Sequence, residues 1–193
     1  MKICVFGAAS DKIDKKYIDD CYGLAKTLAL RGHNLVFGAG GEGLMGAAAR
    51  GFKDNGATVH GVIPKFFEES GYEAIFKGCD TLTRTETMAE RKKIMEDEAD
   101  AFIITPGGIG TFEEFFEVLT LKQLGRHKKA IAIYNSYGYF TELEKFIDGI
   151  IETKFVNKEC KQLYKLVDTQ RGVIDYIENY SPVGVKWDLL KRN

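Results

Sequence analysis

Cysteine, histidine, proline and tryptophan are all scarce in this chain of 193 residues, at four, three, three and one. Cys4, Cys21, Cys79 and Cys160 stand far apart with no CxxC pair, which points to reduced thiols in a cytoplasmic protein. His33, His60 and His127 are equally dispersed, so no metal site is expected. The net charge of −1 offers no global attraction to a nucleic-acid polymer or an anionic membrane. No apolar run approaches the roughly 20 residues of a membrane span. The opening Met1 to Gly7 is too soon broken to read as a signal peptide. What remains is a single domain over residues 1–193, long enough for a substantial core, with residues 181–193 as a tail that includes Trp187.

Glycine, by contrast, is abundant and clustered. Residues 101–104 are apolar without alternation, as in a buried parallel strand, and lead to Thr105-Pro106-Gly107-Gly108-Ile109-Gly110-Thr111. Phe112, Phe115, Phe116 and Leu119 then recur at helical spacing. A glycine turn opening a helix presents backbone N–H groups to an anion, so a phosphate site is one reading. Thr111 with Glu114 three residues on also matches a capping box, which would give both a structural task.

The same alternation runs along the whole chain. Strands are expected at residues 3–6, 35–37, 58–63, about 81–83, 101–104, 130–134 and 163–167. Helices are expected at about 15–30, from the glycine run 38–46 to about 54, and at 88–98, 112–124, 140–152 and 173–180. Residues 65–78 mix aromatics and acids without a period and read as a loop with a short helix. The class is α/β, a doubly wound parallel sheet, Rossmann-like, with helices on both faces.

Three groups of residues bear on chemistry. Gly41-x-Gly43-x-x-Gly46 matches a dinucleotide fingerprint, but the following strand ends Gly61-Val62-Ile63-Pro64, without the acid that would hold a ribose. A second loop lining the same crevice fits that run better. On the helix from Met88, Arg91 and Lys92 edge the inward face, where a cation needs an anionic ligand, a carboxylate such as Glu114, or a route for its stem to the surface. Glu113, Glu114 and Glu117 crowd the start of the next helix, where acids ordinarily complement the helix dipole.

Pro106 to Glu114 matches the pattern PGGxGTxxE, and Met88-Ala89-Glu90-Arg91-Lys92 is similar to its MHxRK companion. Together they resemble the LOG (Lonely Guy) family of cytokinin riboside 5′-monophosphate phosphoribohydrolases, long mislabelled lysine decarboxylases. The likeness runs from Ile3 to about Val156. It implies a Rossmann-like homodimer that hydrolyses the N-glycosidic bond of a nucleoside 5′-monophosphate without a cofactor. It further implies that Arg91 and Glu114 are the catalytic pair. Lys92, Met88, Gly107, Gly108, Ile109, Gly110, Thr111, Glu113 and Thr120 would bind substrate, joined by an acid after Pro64, Glu69 or Glu73. Ala89 replaces the motif's histidine, and the first loop reads Gly-Ala-Ala-Ser where relatives often carry Gly-Ser-Ser; both bear on substrate choice. Decarboxylation through pyridoxal phosphate would need a lysine placed for a Schiff base, and Lys92 and Lys93 lie on a helix beside an arginine. A nucleotide or cofactor carrier of the same fold is the alternative from another class.

Overall fold

The computed structural model describes residues 1–70 and 74–182; Glu73 and the tail with Trp187 lie outside them. The strands are β1 (Lys2–Phe6), β2 (Asn34–Phe37), β3 (Val59–Pro64), β4 (Thr81–Thr85), β5 (Ala101–Ile104), β6 (Ala130–Tyr134) and β7 (Lys165–Val167). Between them run α1 (Lys15–Leu30), α2 (Gly43–Lys53), α3 (Lys65–Ser70), α4 (Met88–Glu98), α5 (Ile109–Gln123), α6 (Thr141–Glu152) and α7 (Gln170–Glu178). All seven strands are parallel, in the order β4-β3-β2-β1-β5-β6-β7. The chain winds outward from β1 to β4, returns to β5, and winds out the other way. The strand order therefore reverses between β1 and β5, where such sheets hold ligands at their carboxyl ends.

Side chains alternate along each strand, so every central strand feeds both faces. Ile3 and Val5 of β1 join the core under α1, α2 and α7, while Cys4 and Phe6 join the one under α4, α5 and α6. All four cysteines are free, and burial pushes the Cys21 thiol up to about 12. No described helix is long and apolar enough to cross a membrane.

Local signals explain most element starts. Asp14 and Thr169 accept N–H bonds at the heads of α1 and α7, and Thr87 with Glu90 forms a full capping box on α4. Gly32 and Gly56, at φ of +82° and +81°, turn the chain after α1 and α2. The capping box expected at Thr111 and Glu114 is absent. Helix α5 begins three residues earlier, with extended Gly108 as its N-cap and no side-chain cap, and Phe112 N–H closes on Gly108 C=O at 3.2 Å. Thr111 is buried inside the first turn, so its hydroxyl is not at the helix end.

The last turn of α5 carries a cost. Lys122 is only 3 % exposed, its Nζ has no hydrogen-bond partner among the described residues, and it lies 4.7 Å from the centre of the Tyr180 ring. Burial lowers its pKa to about 8. Since the unfolded chain holds that proton up to about 10.5, this group's penalty is complete below pH 8 and fades as pH rises between the two values. Lys122→Met should raise Tm by about 2–4 °C at pH 7, the shift about 1 kcal/mol gives a domain of this size. That gain should shrink towards pH 10 in a thermal-melt series; a lower Tm at every pH would show that the ring contact outweighs desolvation.

Candidate functional site at the carboxyl ends of the central strands

The loops after β1 and β5 meet at the reversal point. Thr105 N–H and Oγ1 both bond Phe6 C=O, at 2.8 and 2.9 Å, and Ala8 N–H bonds Pro106 C=O at 3.0 Å. Beyond Pro106, the N–H groups of Gly107, Gly108, Ile109, Gly110 and Thr111 reach no backbone carbonyl among the described residues. They end α5, whose dipole adds positive potential. Gly107 is packed inside, where a Cβ would lie 2.1 Å from Thr111 Oγ1. Gly108 and Gly110 differ. A Cβ on either would meet no atom within 4 Å, and neither has a left-handed backbone. The fold does not require glycine there, whereas a ligand lying against the backbone would.

Facing Glu114 of α5 stands Arg91, buried at 5 % exposure. Its Nε donates to Val62 C=O at 3.1 Å, its Nη2 to Gly38 C=O at 3.2 Å, and its Nη1 faces Glu114 Oε1 at 3.4 Å. Gly38 is part of this arrangement: a Cβ there would stand 1.6 Å from Nη2. The guanidinium thus spans the ends of β2 and β3 and presents one edge to a carboxylate on α5. The Glu114 side chain, 12 % exposed, sits one turn inside the helix that the glycine loop opens. The inward reading of α4 holds, with Arg91, Met95 and Ala99 buried and Met88 half-buried one turn before Arg91.

The other expected site residues divide. Lys92 bonds Glu113 and meets Glu117 at 2.6 Å on the seam between α4 and α5, one position round from Arg91. Burial opposes the Lys92 charge, but these two carboxylates outweigh it and raise its pKa. The acids crowding the head of α5 are therefore paired, which offsets their repulsion of an anion at the loop. Thr120 is exposed, about 16 Å along α5 from Ile109 at 1.5 Å per residue. Ile109, at 89 % exposure, shares a stripe with Glu113, Phe116, Thr120 and Leu124, all exposed. Glu69 is exposed on α3.

The glycine run 41–46 packs backbone on backbone. Leu44 and Met45 N–H both bond Ala8 C=O, at 2.8 and 3.1 Å, so the head of α2 is closed by the first loop. Gly43 has φ of +56°, and a Cβ on Gly46 would strike Gly41 C=O at 2.1 Å. These glycines serve the junction of two loops, and no pyrophosphate could reach the N–H groups a dinucleotide would use. Two residues that build the site carry weaker signals in the sequence. Gly38 is marked only by its place directly after a strand. Tyr139, whose hydroxyl donates to Gly107 C=O at 2.7 Å, carries no mark, because the contact spans 32 positions.

Residues 45–177 match the profile of a family described as "Possible lysine decarboxylase". The chain is 36% identical over 181 residues to the cytokinin riboside 5′-monophosphate phosphoribohydrolase LOG4 of Arabidopsis thaliana, covering 94% of this chain and 83% of that one. It is 36% identical over 190 residues to the phosphoribohydrolase LOG of Oryza sativa subsp. japonica, at 97% and 78% coverage. Among solved structures it is similar to the molybdenum cofactor carrier protein of Chlamydomonas reinhardtii, with a TM-score of 0.69, 22% identity, and 92% and 95% of the two chains covered. At that identity the likeness shows the fold alone.

One titration belongs to the α4–α5 seam. Burial, then the Glu117 charge, pushes the half-buried Glu96 carboxyl up to about 7. The folded chain thus holds a proton that the unfolded chain releases near pH 4.5, so Glu96 costs stability progressively as pH rises from about 4.5 to 7, and fully above. Glu96→Gln should raise Tm at pH 8 and leave it nearly unchanged at pH 4.5. Equal shifts at both values in a melting series would exclude this titration.

Proposed function

The chain belongs to the LOG phosphoribohydrolase family, and from that premise we propose that it hydrolyses the N-glycosidic bond of a nucleoside 5′-monophosphate. The products are free base and ribose 5-phosphate, and the substrate is AMP or an N6-substituted AMP of the cytokinin-precursor type. The observation that carries this reading is the pairing of buried Arg91 with Glu114 beside a helix head whose N–H groups are open. In it the phosphate monoester lies on Gly107, Gly108, Ile109, Gly110 and Thr111, and takes no part in the chemistry. Its binding fixes the ribose over Glu114, so a nucleoside without phosphate loses turnover as well as affinity.

As the C1′–N bond breaks, its electron pair leaves with the base and positive charge grows on the ribose. Glu114 stabilises that charge and orients a water, whose oxygen bonds C1′ and whose proton is passed on to the departing base. Arg91, held by two carbonyls, aims the carboxylate. Met88 and Lys92 back this pair from α4. The carrier alternative has less support: relatives at 36% identity are named as hydrolases, while likeness to the carrier is one of fold.

The exposed stripe of α5 supports a homodimer, in which Ile109, Phe116 and Leu124 are covered by a second copy and Glu113 and Thr120 line the seam. Free thiols, three of them buried, fit a reducing cytoplasmic setting.

Incubation with AMP should release adenine, and Glu114→Gln should lower kcat/KM by at least about 10²-fold. Near-normal turnover by that variant would remove Glu114 from the mechanism. Phe116→Asp should convert a dimer to a monomer by light scattering, and an unchanged mass would leave the stripe without that role.

A further inference from the structure

The glycine loop is held from both sides, and one of the two holds depends on a single oxygen atom. On the inner side, Ala8 N–H takes Pro106 C=O. On the outer side, the Tyr139 hydroxyl donates to Gly107 C=O at 2.7 Å. Every peptide bond here is trans, so the carbonyl of residue 107 and the N–H of residue 108 point in opposite directions. Turning Gly107 C=O towards Tyr139 therefore turns Gly108 N–H away from it. Nothing else among the described residues is bonded to that carbonyl. With glycine on both sides of this peptide, its plane has little resistance of its own to rotation.

Tyr139 itself is placed with care. Asn135, buried at the end of β6, accepts Phe140 N–H on Oδ1 at 2.6 Å and donates from Nδ2 to Asp168 at 2.8 Å. Between Asn135 and Phe140 the chain makes a tight turn through Tyr137 and Gly138, at φ of +52° and +75°. Left-handed backbone at a tyrosine is uncommon and is retained where surrounding structure demands it. The Tyr139 ring, 41 % exposed, stands edge-on to Tyr17 at 6.0 Å and to Phe140 at 5.0 Å, and its hydroxyl reaches Gly107 C=O. All of this scaffolding ends on one carbonyl of the loop.

We propose that Tyr139 is a positioning residue for phosphate recognition, its hydroxyl setting the Gly107–Gly108 peptide so that Gly108 N–H faces the monoester. The inference rests on the glycosidase reading of the same site and adds to it a residue that selects phosphorylated substrates without touching them. Its signature lies in binding: once the monoester is seated on the other N–H groups of the loop the ribose is still fixed over Glu114, so loss of this one hydroxyl raises KM and spares kcat.

The test compares the wild type with Tyr139→Phe, which keeps the ring packing. Inorganic phosphate is titrated by calorimetry, and AMP turnover and Tm are measured in parallel. Phosphate affinity should fall about 5- to 10-fold, the scale of one neutral hydrogen bond, and KM for AMP should rise by a similar factor with kcat within about twofold. Unchanged phosphate affinity, or a fall in kcat at constant KM, overturns the proposal. So does a wild type that fails to bind phosphate at all. A loss of affinity accompanied by a large fall in Tm would mark the hydroxyl as structural and also overturn it. If the wild type binds phosphate but releases no base from AMP, the glycosidase reading fails while the calorimetric comparison still decides the role of Tyr139.

Discussion

A guanidinium at 5 % exposure cannot give up its charge, so its surroundings must be built for it. Here they are two carbonyls, Val62 in β3 and Gly38 just after β2, and one carboxylate from α5. Much of the molecule follows from that need. The strand after Phe37 must end in a residue with no side chain, α4 must run with Arg91 inward, and α5 must start early enough to bring Glu114 across the cleft. Taking Arg91 away would remove the guanidinium that faces Glu114 Oε1. Taking Glu114 away would leave the buried cation with the Val62 and Gly38 carbonyls but without that carboxylate.

The two glycine-rich loops look alike as letters and differ as structure. Along residues 41–46 the missing side chains make room for protein: Gly43 for the first loop and Gly46 for the backbone one turn before it. Along residues 107–110 only Gly107 is constrained by protein, and Gly108 and Gly110 border open space. Spacing alone cannot separate these cases, because both require the absence of a Cβ. What separates them is which atoms lie where that carbon would be.

The alternation of apolar strands and amphipathic helices was legible because period and chain order are local properties, and the parallel sheet follows from them. Arg91 was legible too, since a cation on the inward face of α4 has no comfortable explanation without a partner. The capping box that Thr111 and Glu114 offered as the structural alternative does not form, because the extended backbone at Gly108 lets the helix begin before any hydroxyl is available. The pairing of Lys92 with Glu113 and Glu117 depends on the packing of two helices side by side, and the Tyr139 contact on a turn 32 residues away. Neither has a local signature. Lys122 is the plainest case: its position in the last turn of α5 invites a surface lysine, yet the structure buries it.

The open ground around Gly108 and Gly110 has a consequence for how such a scaffold diversifies. Since no atom within 4 Å meets a Cβ at either of those two positions, a side chain there costs the fold little. The edge of the loop can therefore be rewritten through single codon changes while the sheet beneath stays intact. Architecture can then outlast the identity of the residues that edge it.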